Sequence, residues 1–280
     1  MRERPATRGS LEKRWAWSLV LITSAILLFG CAGNLGTARA QDAGERWRPQ
    51  PGTSWQWQLS SRVGTPLKVD AYDVDGFDTS EQTVARLHAN GSKAICYISV
   101  GSWENWRPDK DEFPKRVLGR AYDGWPGERW LDIRRIGALD PIMGARMDMC
   151  RRKGFDAVEP DNMDGYTNRT GFDLTAADQL RYNRWLAAEA HERGLTIALK
   201  NDEDQAKALV DDFDFAITED CFDQGWCNQM RPFVHQNKAV LAAEYTDTGS
   251  RTSKFCPRAR ELGFDAILKK RNLGAWRRGC

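Results

Sequence analysis

The sequence predicts an α/β fold, a single-domain (β/α)₈ barrel, and two features of the 280-residue chain indicate it. Eight short β-rich segments end in polar residues and alternate with amphipathic stretches, as parallel strands joined by helices do. The tetrapeptide Gly-Phe-Asp-Ala begins at Gly154 and recurs at Gly263, where a helix would end and a strand begin. The predicted strands are residues 68–75, 93–100, 129–133, 155–162, 195–202, 213–220, 238–245 and 264–270.

The clearest helical pattern covers residues 175–193, where apolar residues such as Leu186 and Ala190 recur near helical spacing. Gly194 follows and suits the left-handed position that ends a helix. The structural alternative is a doubly wound open sheet. That fold usually carries a glycine-rich phosphate-binding turn after its first strand, whereas the sequence from Asp73 is Asp-Val-Asp-Gly-Phe-Asp. The barrel is therefore the preferred prediction.

Residues 1–31 have the features of a signal peptide. Basic residues precede an apolar run at 19–29, and the following Gly-Cys resembles the end of a lipobox, which predicts lipidation of Cys31. Two alternatives stay open. The first is cleavage after residues 38–40, which read Ala-Arg-Ala, without a lipid. The second is an uncleaved membrane anchor, since the apolar segment is nearly long enough to cross a bilayer.

The rest of the chain divides into a polar, proline-containing linker at residues 32–51 and the barrel domain at residues 52–280. All three interpretations of the N-terminus place the barrel outside the cytoplasm, in the cell envelope or the extracellular space. Membrane contact is expected only through an N-terminal lipid anchor or the uncleaved segment.

The charge balance excludes one class of partner. The chain has 41 Lys and Arg against 39 Asp and Glu, and six and two of these lie in the first forty residues, so the remainder carries a net charge of −2. It has no basic run interleaved with aromatic residues, so nucleic acid is not an expected partner.

Six cysteines remain if Cys31 is lipidated, and an even number in an exported protein indicates disulfide bonds. Cys221 and Cys227 are close enough in sequence to close one loop, and the other pairings stay open. No Cys-x-x-Cys pair or His-x-His motif supports a zinc site. The sequence therefore predicts no resident metal and no cofactor.

Carboxylates lie at the ends of most predicted strands, where the active site of a (β/α)₈ barrel is found. Residues two apart on a strand point to the same side, so Asp73 goes with Asp75 and Glu159 with Asp161. The polar residues predicted at this end of the barrel are Asp73, Asp75, Glu104, Asp132, Glu159, Asp161, Lys200, Asn201, Asp202, Glu219, Asp220, Glu244, Tyr245, Lys269 and Lys270.

The three histidines, His88, His191 and His235, fall in helical stretches, so neither a Ser-His-Asp hydrolase nor a histidine-rich metal hydrolase is expected. Two carboxylates can hydrolyse a glycosidic bond alone: one protonates the leaving oxygen, and the other attacks the sugar or activates water. Aromatic faces suit sugar rings. Those near strand ends are Tyr72, Tyr97, Trp103, Trp106, Trp125, Trp130, Tyr166 and Tyr245.

Two other functions are consistent with the same residues. Clustered carboxylates also bind Ca²⁺ or Mg²⁺, so a metal-dependent barrel hydrolase is the second hypothesis. It ranks lower because no ordered Asp-x-Asp-x-Asp-Gly loop is present. The third hypothesis is a surface lipoprotein that binds polysaccharide without cleaving it.

Six ordered strings in the barrel domain carry a family resemblance: residues 72–78 (Tyr-Asp-Val-Asp-Gly-Phe-Asp), 96–102, 124–134, 159–166 (Glu-Pro-Asp-Asn-Met-Asp-Gly-Tyr), 199–202 and 219–222. The chain resembles glycoside hydrolase family 114, the endo-α-1,4-polygalactosaminidase family. The resemblance extends from Trp55 to about Leu273 and includes nearly the whole predicted barrel domain.

The resemblance implies a (β/α)₈ barrel that cleaves α-1,4-linked galactosamine or N-acetylgalactosamine polysaccharide in an endo-acting manner. The resemblance implies that Asp161 and Glu219 carry catalysis, and we assign Asp161 as the nucleophile and Glu219 as the general acid/base. The expected partner is a cationic galactosamine polymer, which an acidic cleft attracts. The residues expected to contact the substrate or to tune the two carboxylates are Asp73, Asp75, Tyr97, Trp103, Asp132, Glu159, Asn162, Tyr166, Lys200, Asp202, Glu244 and Tyr245.

Overall fold

Eight parallel strands curl into a nearly closed barrel in the computed structural model, which describes residues 46–280. In order around the sheet, the strands are β1 (Trp55–Gln58), β2 (Ala71–Asp75), β3 (Lys93–Ser99), β7 (Ala157–Asp161), β8 (Thr196–Lys200), β9 (Phe215–Glu219), β10 (Val240–Tyr245) and β11 (Asp265–Lys269). A further short strand, β12 (Arg277–Gly279), pairs antiparallel with β11. The predicted (β/α)₈ barrel is confirmed.

The predicted signal peptide of residues 1–31, with Cys31, lies outside the described residues, as does most of the predicted linker of residues 32–51. The end of that linker contacts the barrel. Trp47 packs against Phe215, with ring centroids 6.2 Å apart. Among the helices of residues 46–280, none has the length and apolarity needed to cross a membrane.

The structure corrects the strand prediction in two places: one barrel strand was missed, and one predicted barrel strand lies elsewhere. The first barrel strand is β1, which was not predicted, although its sequence Trp-Gln-Trp-Gln alternates with the period of a strand. The predicted strand 129–133 corresponds to β6 (Glu128–Leu131), which lies in a separate antiparallel sheet between β4 (Ser102–Glu104) and β5 (Leu118–Ala121). The two errors cancel in the count, so β7 and β9 are the fourth and sixth barrel strands, as predicted.

Two tryptophans fill the interior of the barrel. Trp55 and Trp57 point inwards from β1, and the neighbouring strands present small residues such as Ala71, Ala157 and Ala198 to the same interior cluster. Small side chains are required there because two indoles occupy much of the space that eight strands enclose. This packing closes the barrel below its carboxyl-terminal end, where the charged residues of the site lie.

Seven helices of unequal length lie around the barrel in the described residues: α1 (Glu81–Ala89), α2 (Ile136–Arg152), α3 (Ala176–Glu192), α4 (Ala206–Leu209), α5 (Cys221–Gln224), α6 (Arg231–His235) and α7 (Thr252–Leu262). The predicted helix at 175–193 is confirmed as α3. Its first turn is fixed by a capping box between Thr175 and Asp178. Gly194 follows with a φ of +73°, a conformation that glycine adopts without strain.

Three disulfide bonds connect elements around the barrel, and the predicted Cys221–Cys227 bond is confirmed. The other two are Cys96–Cys150, which ties β3 to α2, and Cys256–Cys280, which ties α7 to the C-terminus. Their partners are 54 and 24 residues apart in sequence, so spacing could not identify them. All six of these cysteines are therefore paired.

Candidate active site

Three neighbouring strands bring charged side chains into the carboxyl-terminal end of the barrel interior. Glu159 and Asp161 belong to β7, Lys200 to β8 and Glu219 to β9. Side chains two residues apart share a side of the sheet, and Ala157 on β7 belongs to the interior cluster, so Glu159 and Asp161 point inwards above it. The strand period that the sequence analysis used therefore places these four groups together.

The Lys200 ammonium lies between all three carboxylates. Its Nζ is 2.8 Å from Glu159, 2.9 Å from Asp161 and 3.1 Å from Glu219. The lysine side chain is 1 % exposed, and its Nζ lies 4.8 Å from the centre of the Trp57 ring. Burial alone would lower the pKa of Lys200, but the surrounding carboxylates raise it well above its usual value, so the ammonium stays charged.

Asp161 receives two charge-stabilising hydrogen bonds. Lys200 Nζ donates to Oδ1, and the Tyr97 hydroxyl donates to Oδ2 at 2.8 Å. Burial acts to raise the pKa of Asp161, but the Lys200 charge and these hydrogen bonds outweigh it and lower the pKa below its usual value. Its side chain is 19 % exposed. Asp161 is therefore an ionised carboxylate with one side open to solvent.

Glu219 lies at the end of β9, and residues from the two neighbouring strand ends hold it in position. The Tyr245 hydroxyl donates to Oε1, and Asn201 Oδ1 accepts from the Glu219 backbone N–H at 2.9 Å. The Arg271 guanidinium stacks 3.6 Å from the centre of the Tyr245 ring, which fixes that ring in turn. The Glu219 side chain is 27 % exposed. Both Asp161 and Glu219 are thus held from below and open above.

Asp73 and Glu159 form a buried carboxyl pair beneath the site. Neither oxygen of Asp73 meets a hydrogen-bond donor in residues 46–280, whereas Glu159 accepts from Trp57 Nε1 at 2.9 Å and from Lys200. Burial, followed by the adjacent Glu159 charge, raises the pKa of Asp73 well above its usual value. A protonated Asp73 can donate to Glu159, which satisfies both groups. Asp73 is fully buried, so the expectation that it contacts substrate is corrected.

A small pocket of about 100 Å³ opens above Asp161 and Glu219. Of the other predicted contact residues, Tyr97, Asn162 and Lys200 also line it. Tyr245 and Glu159 lie behind these groups and act on them rather than on the pocket.

Asn162 fixes the backbone directly after Asp161. Its φ is +66°, a left-handed conformation that asparagine tolerates better than most residues. Its Nδ2 donates to the hydroxyls of Ser99 and Ser102 at 3.0 and 3.1 Å. Gly101 is required beside it, because a Cβ there would lie 1.7 Å from the Asn162 carbonyl oxygen. This close packing orients the end of β7.

Glu244 and Asp132 do not reach the pocket, which corrects the expectation that they contact substrate. Glu244 lies next to the inward-facing Tyr245 and therefore points outwards. It accepts the backbone N–H groups of Phe222 and Asp223 at 2.9 and 3.1 Å and so caps α5. Asp132 follows β6 of the small antiparallel sheet and forms an ion pair with Arg134 at 2.7 Å.

Asp75 and Trp103 also lie outside the pocket. Asp75 is buried and forms an ion pair with Arg107 at 2.7 Å, within a network that includes Glu104. The Trp103 indole donates to the Lys110 carbonyl at 2.9 Å. Both side chains thus have structural partners, and the expectation that they bind substrate is corrected.

Asp202 and Tyr166 pack together behind the pocket wall. Asp202 is buried and accepts a hydrogen bond from Asn183 Nδ2 at 2.8 Å. Burial, followed by the charge of Asp164, raises the pKa of Asp202 to about 8. The structure therefore places neither Asp202 nor Tyr166 on the pocket surface.

Several side chains near the two carboxylates were not among the predicted site residues. Trp57 donates a hydrogen bond to Glu159. The alternating sequence of β1 could have identified Trp57 as an inward-facing strand residue. Tyr122, Glu128 and Asp164 line the pocket itself. The first two belong to the small antiparallel sheet and its loop, whose position over the barrel the sequence does not reveal. Asp164 lies three residues after Asp161 and was visible only as part of a conspicuously acidic stretch.

The arrangement supports chemistry by carboxylates. One ionised carboxylate and a second acid face a common pocket from β7 and β9, on either side of β8, and glycosidic hydrolysis requires such a pair. In residues 46–280, no group of three or more His, Cys, Asp or Glu side chains is arranged to hold a metal ion. The central position among Glu159, Asp161 and Glu219 is occupied by the Lys200 ammonium.

We expect Asp73→Asn to preserve the fold and to flatten the pH dependence of its stability. The wild-type carboxyl takes up a proton on folding, so its unfolding free energy falls as the pH rises above the unfolded-state pKa, by up to about 1.4 kcal/mol per pH unit. The asparagine amide donates to Glu159 without proton uptake. Urea unfolding between about pH 5 and pH 8 measures this slope.

Asp73→Ala is the matched control, because it removes the donor to Glu159 and should destabilise the protein at every pH. An Asp73→Asn variant that retains the wild-type slope would show that Asp73 does not carry the proton.

Comparison with known proteins agrees with this geometry. The family model described as "Glycoside-hydrolase family GH114" matches residues 36–280. The chain is 37 % identical to Aspergillus fumigatus Ega3, solved in complex with galactosamine; the alignment covers 85 % of this chain and 98 % of that chain, with a TM-score of 0.80. No curated protein sequence matches the chain significantly.

The fold is also similar to that of the glycoside hydrolase domain of PelA from Pseudomonas aeruginosa. The two sequences are 15 % identical over 81 % of this chain and 97 % of that chain, and the TM-score is 0.62. At this identity the likeness concerns the fold alone. The family model and the identity to Ega3 together show that the chain belongs to glycoside-hydrolase family GH114.

Proposed function

We propose that this protein is an endo-acting glycoside hydrolase that cleaves α-1,4-linked galactosamine polysaccharide. The observation that carries the proposal is the pair Asp161 and Glu219, which face one pocket from strands β7 and β9 and share the Lys200 ammonium. Membership of GH114 supports the glycosidase activity. The galactosamine bound to Ega3, which is similar over most of this chain, supports an amino sugar as the substrate.

Asp161 is the proposed nucleophile. Its carboxylate is ionised, because Lys200 and Tyr97 stabilise the charged form, and one side of it faces the pocket. It attacks the anomeric carbon of the sugar, and the bond from that carbon to the bridging oxygen breaks. A covalent glycosyl–enzyme intermediate results, as in retaining glycosidases.

Glu219 is the proposed general acid and base. It donates a proton to the bridging oxygen as the bond breaks, so that the leaving sugar departs with a neutral hydroxyl group. It then removes a proton from the water that attacks the intermediate, which restores both carboxyl groups to their starting states.

The separation of the two carboxylates favours this retaining mechanism. Asp161 Oδ1 and Glu219 Oε2 lie 2.9 and 3.1 Å from the same nitrogen. These two oxygens are therefore at most about 6 Å apart, a spacing compatible with the roughly 5–5.5 Å between the carboxyl groups of retaining enzymes. Because both carboxylates contact the Lys200 ammonium, little room is left for a water molecule between Asp161 and the sugar.

The proposed location is the cell envelope or the extracellular space, with a lipid on Cys31 as the proposed anchor. Three disulfide bonds in the described residues support an oxidising compartment. A polymeric substrate outside the cell agrees with that location. Release after cleavage at residues 38–40 is the alternative, and a lipid-specific label on the expressed protein distinguishes the two.

Asp161→Asn and Glu219→Gln should each reduce kcat/KM for an α-1,4-galactosamine polymer by about 10²–10⁴-fold, because each removes a group needed in the transition state. Product sizing measures the loss. Asp212→Asn and Glu261→Gln are matched controls, since they make the same chemical changes at partly exposed surface ion pairs.

Wild-type activity in either active-site variant would refute the assignment of that residue. If the wild-type protein binds the polymer but leaves its chain length unchanged, the protein is a binding module rather than an enzyme.

Tyr97→Phe should shift the acidic limb of the kcat/KM profile to higher pH by about one unit. The hydroxyl stabilises the ionised form of Asp161, so its loss raises the pKa of Asp161, and a hydrogen bond to a charged group is worth about 1.5–3 kcal/mol. Rates measured across the pH range for wild type and variant provide the comparison.

Tyr182→Phe is the control for the Tyr97 variant. Its buried hydroxyl donates to the Val100 carbonyl at 2.8 Å and does not contact the two carboxylates. It should reduce stability without moving the pH profile. An unchanged acidic limb in Tyr97→Phe would mean that Asp161 does not set it.

A further inference from the structure

The pocket above Asp161 and Glu219 is small for an enzyme that cleaves a polymer. Its volume of about 100 Å³ is below the roughly 300–1,000 Å³ of typical ligand sites. An endo-acting enzyme holds a linkage inside the chain between its two carboxylates, so sugar rings extend from the pocket in both directions. The surface beside the pocket must therefore contact further rings.

Two exposed tryptophans lie on that surface. Four large apolar side chains are exposed in residues 46–280, and Trp106 and Trp125 are two of them. Trp125 lines the pocket, whereas Trp106, which is 53 % exposed, lies outside it. A single exposed tryptophan needs no explanation, but neighbouring ones beside a pocket indicate a binding surface.

Gly127 brings the two tryptophans together. Trp125 precedes it by two residues, so their Cα atoms are at most about 7.6 Å apart. The Trp106 ring lies over Gly127, because a Cβ at this glycine would be 3.0 Å from Trp106 Cζ3. The Asn105 N–H donates to the Gly127 carbonyl at 3.0 Å, which joins the turn after β4 to the turn before β6. The two indoles therefore form one aromatic surface that continues outwards from the pocket.

The backbone on both sides of this surface is fixed. The Trp125 N–H donates to the Tyr122 carbonyl at 3.1 Å, which closes the turn that carries Trp125. Trp106 is followed by Arg107, whose buried guanidinium forms an ion pair with Asp75 at 2.7 Å. Both tryptophans thus stay exposed on anchored segments, and a ligand that binds them has little backbone to order.

An amide lies beside the Trp106 ring. The Asn105 side chain is exposed, and its Oδ1 and Nδ2 would be 2.8 and 3.0 Å from a Cβ at Gly127, the position that the indole also covers. Within the described residues, neither atom has a hydrogen-bond partner. The preceding residue, Glu104, is buried and forms an ion pair with Arg107 at 2.8 Å, so this carboxylate is neutralised. The surface beside Trp106 therefore combines an apolar face with a neutral donor and acceptor.

This combination matches an acetamido group better than an ammonium group. An acetamido group has a carbonyl that accepts from Asn105 Nδ2, an N–H that donates to Oδ1 and a methyl that can contact the indole. An ammonium group only donates, so it leaves the Asn105 Nδ2 donor without a partner. The polar contacts outside the pocket thus favour the acetylated form of an amino sugar.

We propose that Asn105, Trp106 and Trp125 form a sugar subsite outside the pocket, which holds an N-acetylated residue of the polymer. Trp125 contacts the chain as it leaves the pocket, Trp106 stacks against the next ring, and Asn105 pairs with its acetamido group. The inference rests on the proposed function. It adds that a partly acetylated chain, with an acetylated residue away from the cleaved linkage, binds better than a chain without acetyl groups.

Binding calorimetry in the Asp161→Asn background tests this subsite without turnover. The probes are a partly N-acetylated galactosamine hexamer, a hexamer with all amines free, and a free-amine dimer that is too short to reach Trp106 from the pocket. Asn105→Ala should weaken binding of the acetylated hexamer by about 2–10-fold, the effect of losing a neutral hydrogen bond. Its effect on the free-amine hexamer should stay below about twofold.

Trp106→Ala should weaken binding of the acetylated hexamer by a similar factor of about 2–10, because the stacked ring is lost. Affinity for the dimer should not change. Trp106→Tyr keeps an aromatic face and should restore most of the hexamer affinity.

Two variants serve as controls. Trp276→Ala removes another exposed tryptophan, which lies against Lys270 and does not line the pocket. Asp123→Asn removes an exposed carboxylate from the loop that carries Trp125. Both should keep the parent's ratio of affinities for the two hexamers.

Equal losses for the two hexamers in Asn105→Ala would overturn the proposal, because they would show that the amide does not recognise the acetyl group. An equal loss for dimer and hexamer in Trp106→Ala would overturn it too, since a purely structural role predicts that result. So would a chain dimer, detected by sedimentation, that Trp106→Ala dissociates without changing hexamer affinity. Failure of the proposed function is distinguishable, because it appears as acetyl-dependent binding by a wild-type protein that leaves the polymer uncleaved.

Discussion

One buried ammonium determines the arrangement of the whole site. Lys200 contacts Glu159, Asp161 and Glu219, and without it three carboxylates would repel one another at the base of the pocket. A buried charge is stable only when its partners are close and well oriented, so the contacts that compensate the lysine also fix the carboxylates. The contacts that neutralise the buried charges are therefore the same contacts that hold the catalytic carboxylates in position.

The barrel provides that constraint through the alternation of its strands. Trp57 fills the space under Lys200, donates to Glu159 and presents its ring to the ammonium. The tyrosines of β3 and β10 then hold the outer oxygens of Asp161 and Glu219. The resulting layers are apolar below, ionic in the middle and open above. Carboxylates that have no ion-pair partner among residues 46–280, such as Glu128, occur in the open layer, where a ligand can contact them.

The features of the site that depend on strand period could be predicted from the sequence. Asp161 and Glu219 could be placed on one rim because both end inward-facing rows, and the same rule, applied to Tyr245, would have turned Glu244 outwards. The strand rule could not predict the positions of Asp132 and Glu128, because nothing in residues 128–133 distinguishes a barrel strand from a strand of the small antiparallel sheet. Ion-pair partners such as Arg107 and Asp75 are far apart in sequence and meet only through the fold.

The anomeric configuration of the first product tests the central claim most directly. If Lys200 holds Asp161 and Glu219 within about 6 Å, the enzyme forms a covalent intermediate and releases an α-configured reducing end from an α-linked polymer. Proton NMR recorded in the first minutes of cleavage, before mutarotation, should show the α-anomer appearing first. Initial release of the β-anomer would indicate inversion, with carboxylates farther apart than this shared contact allows.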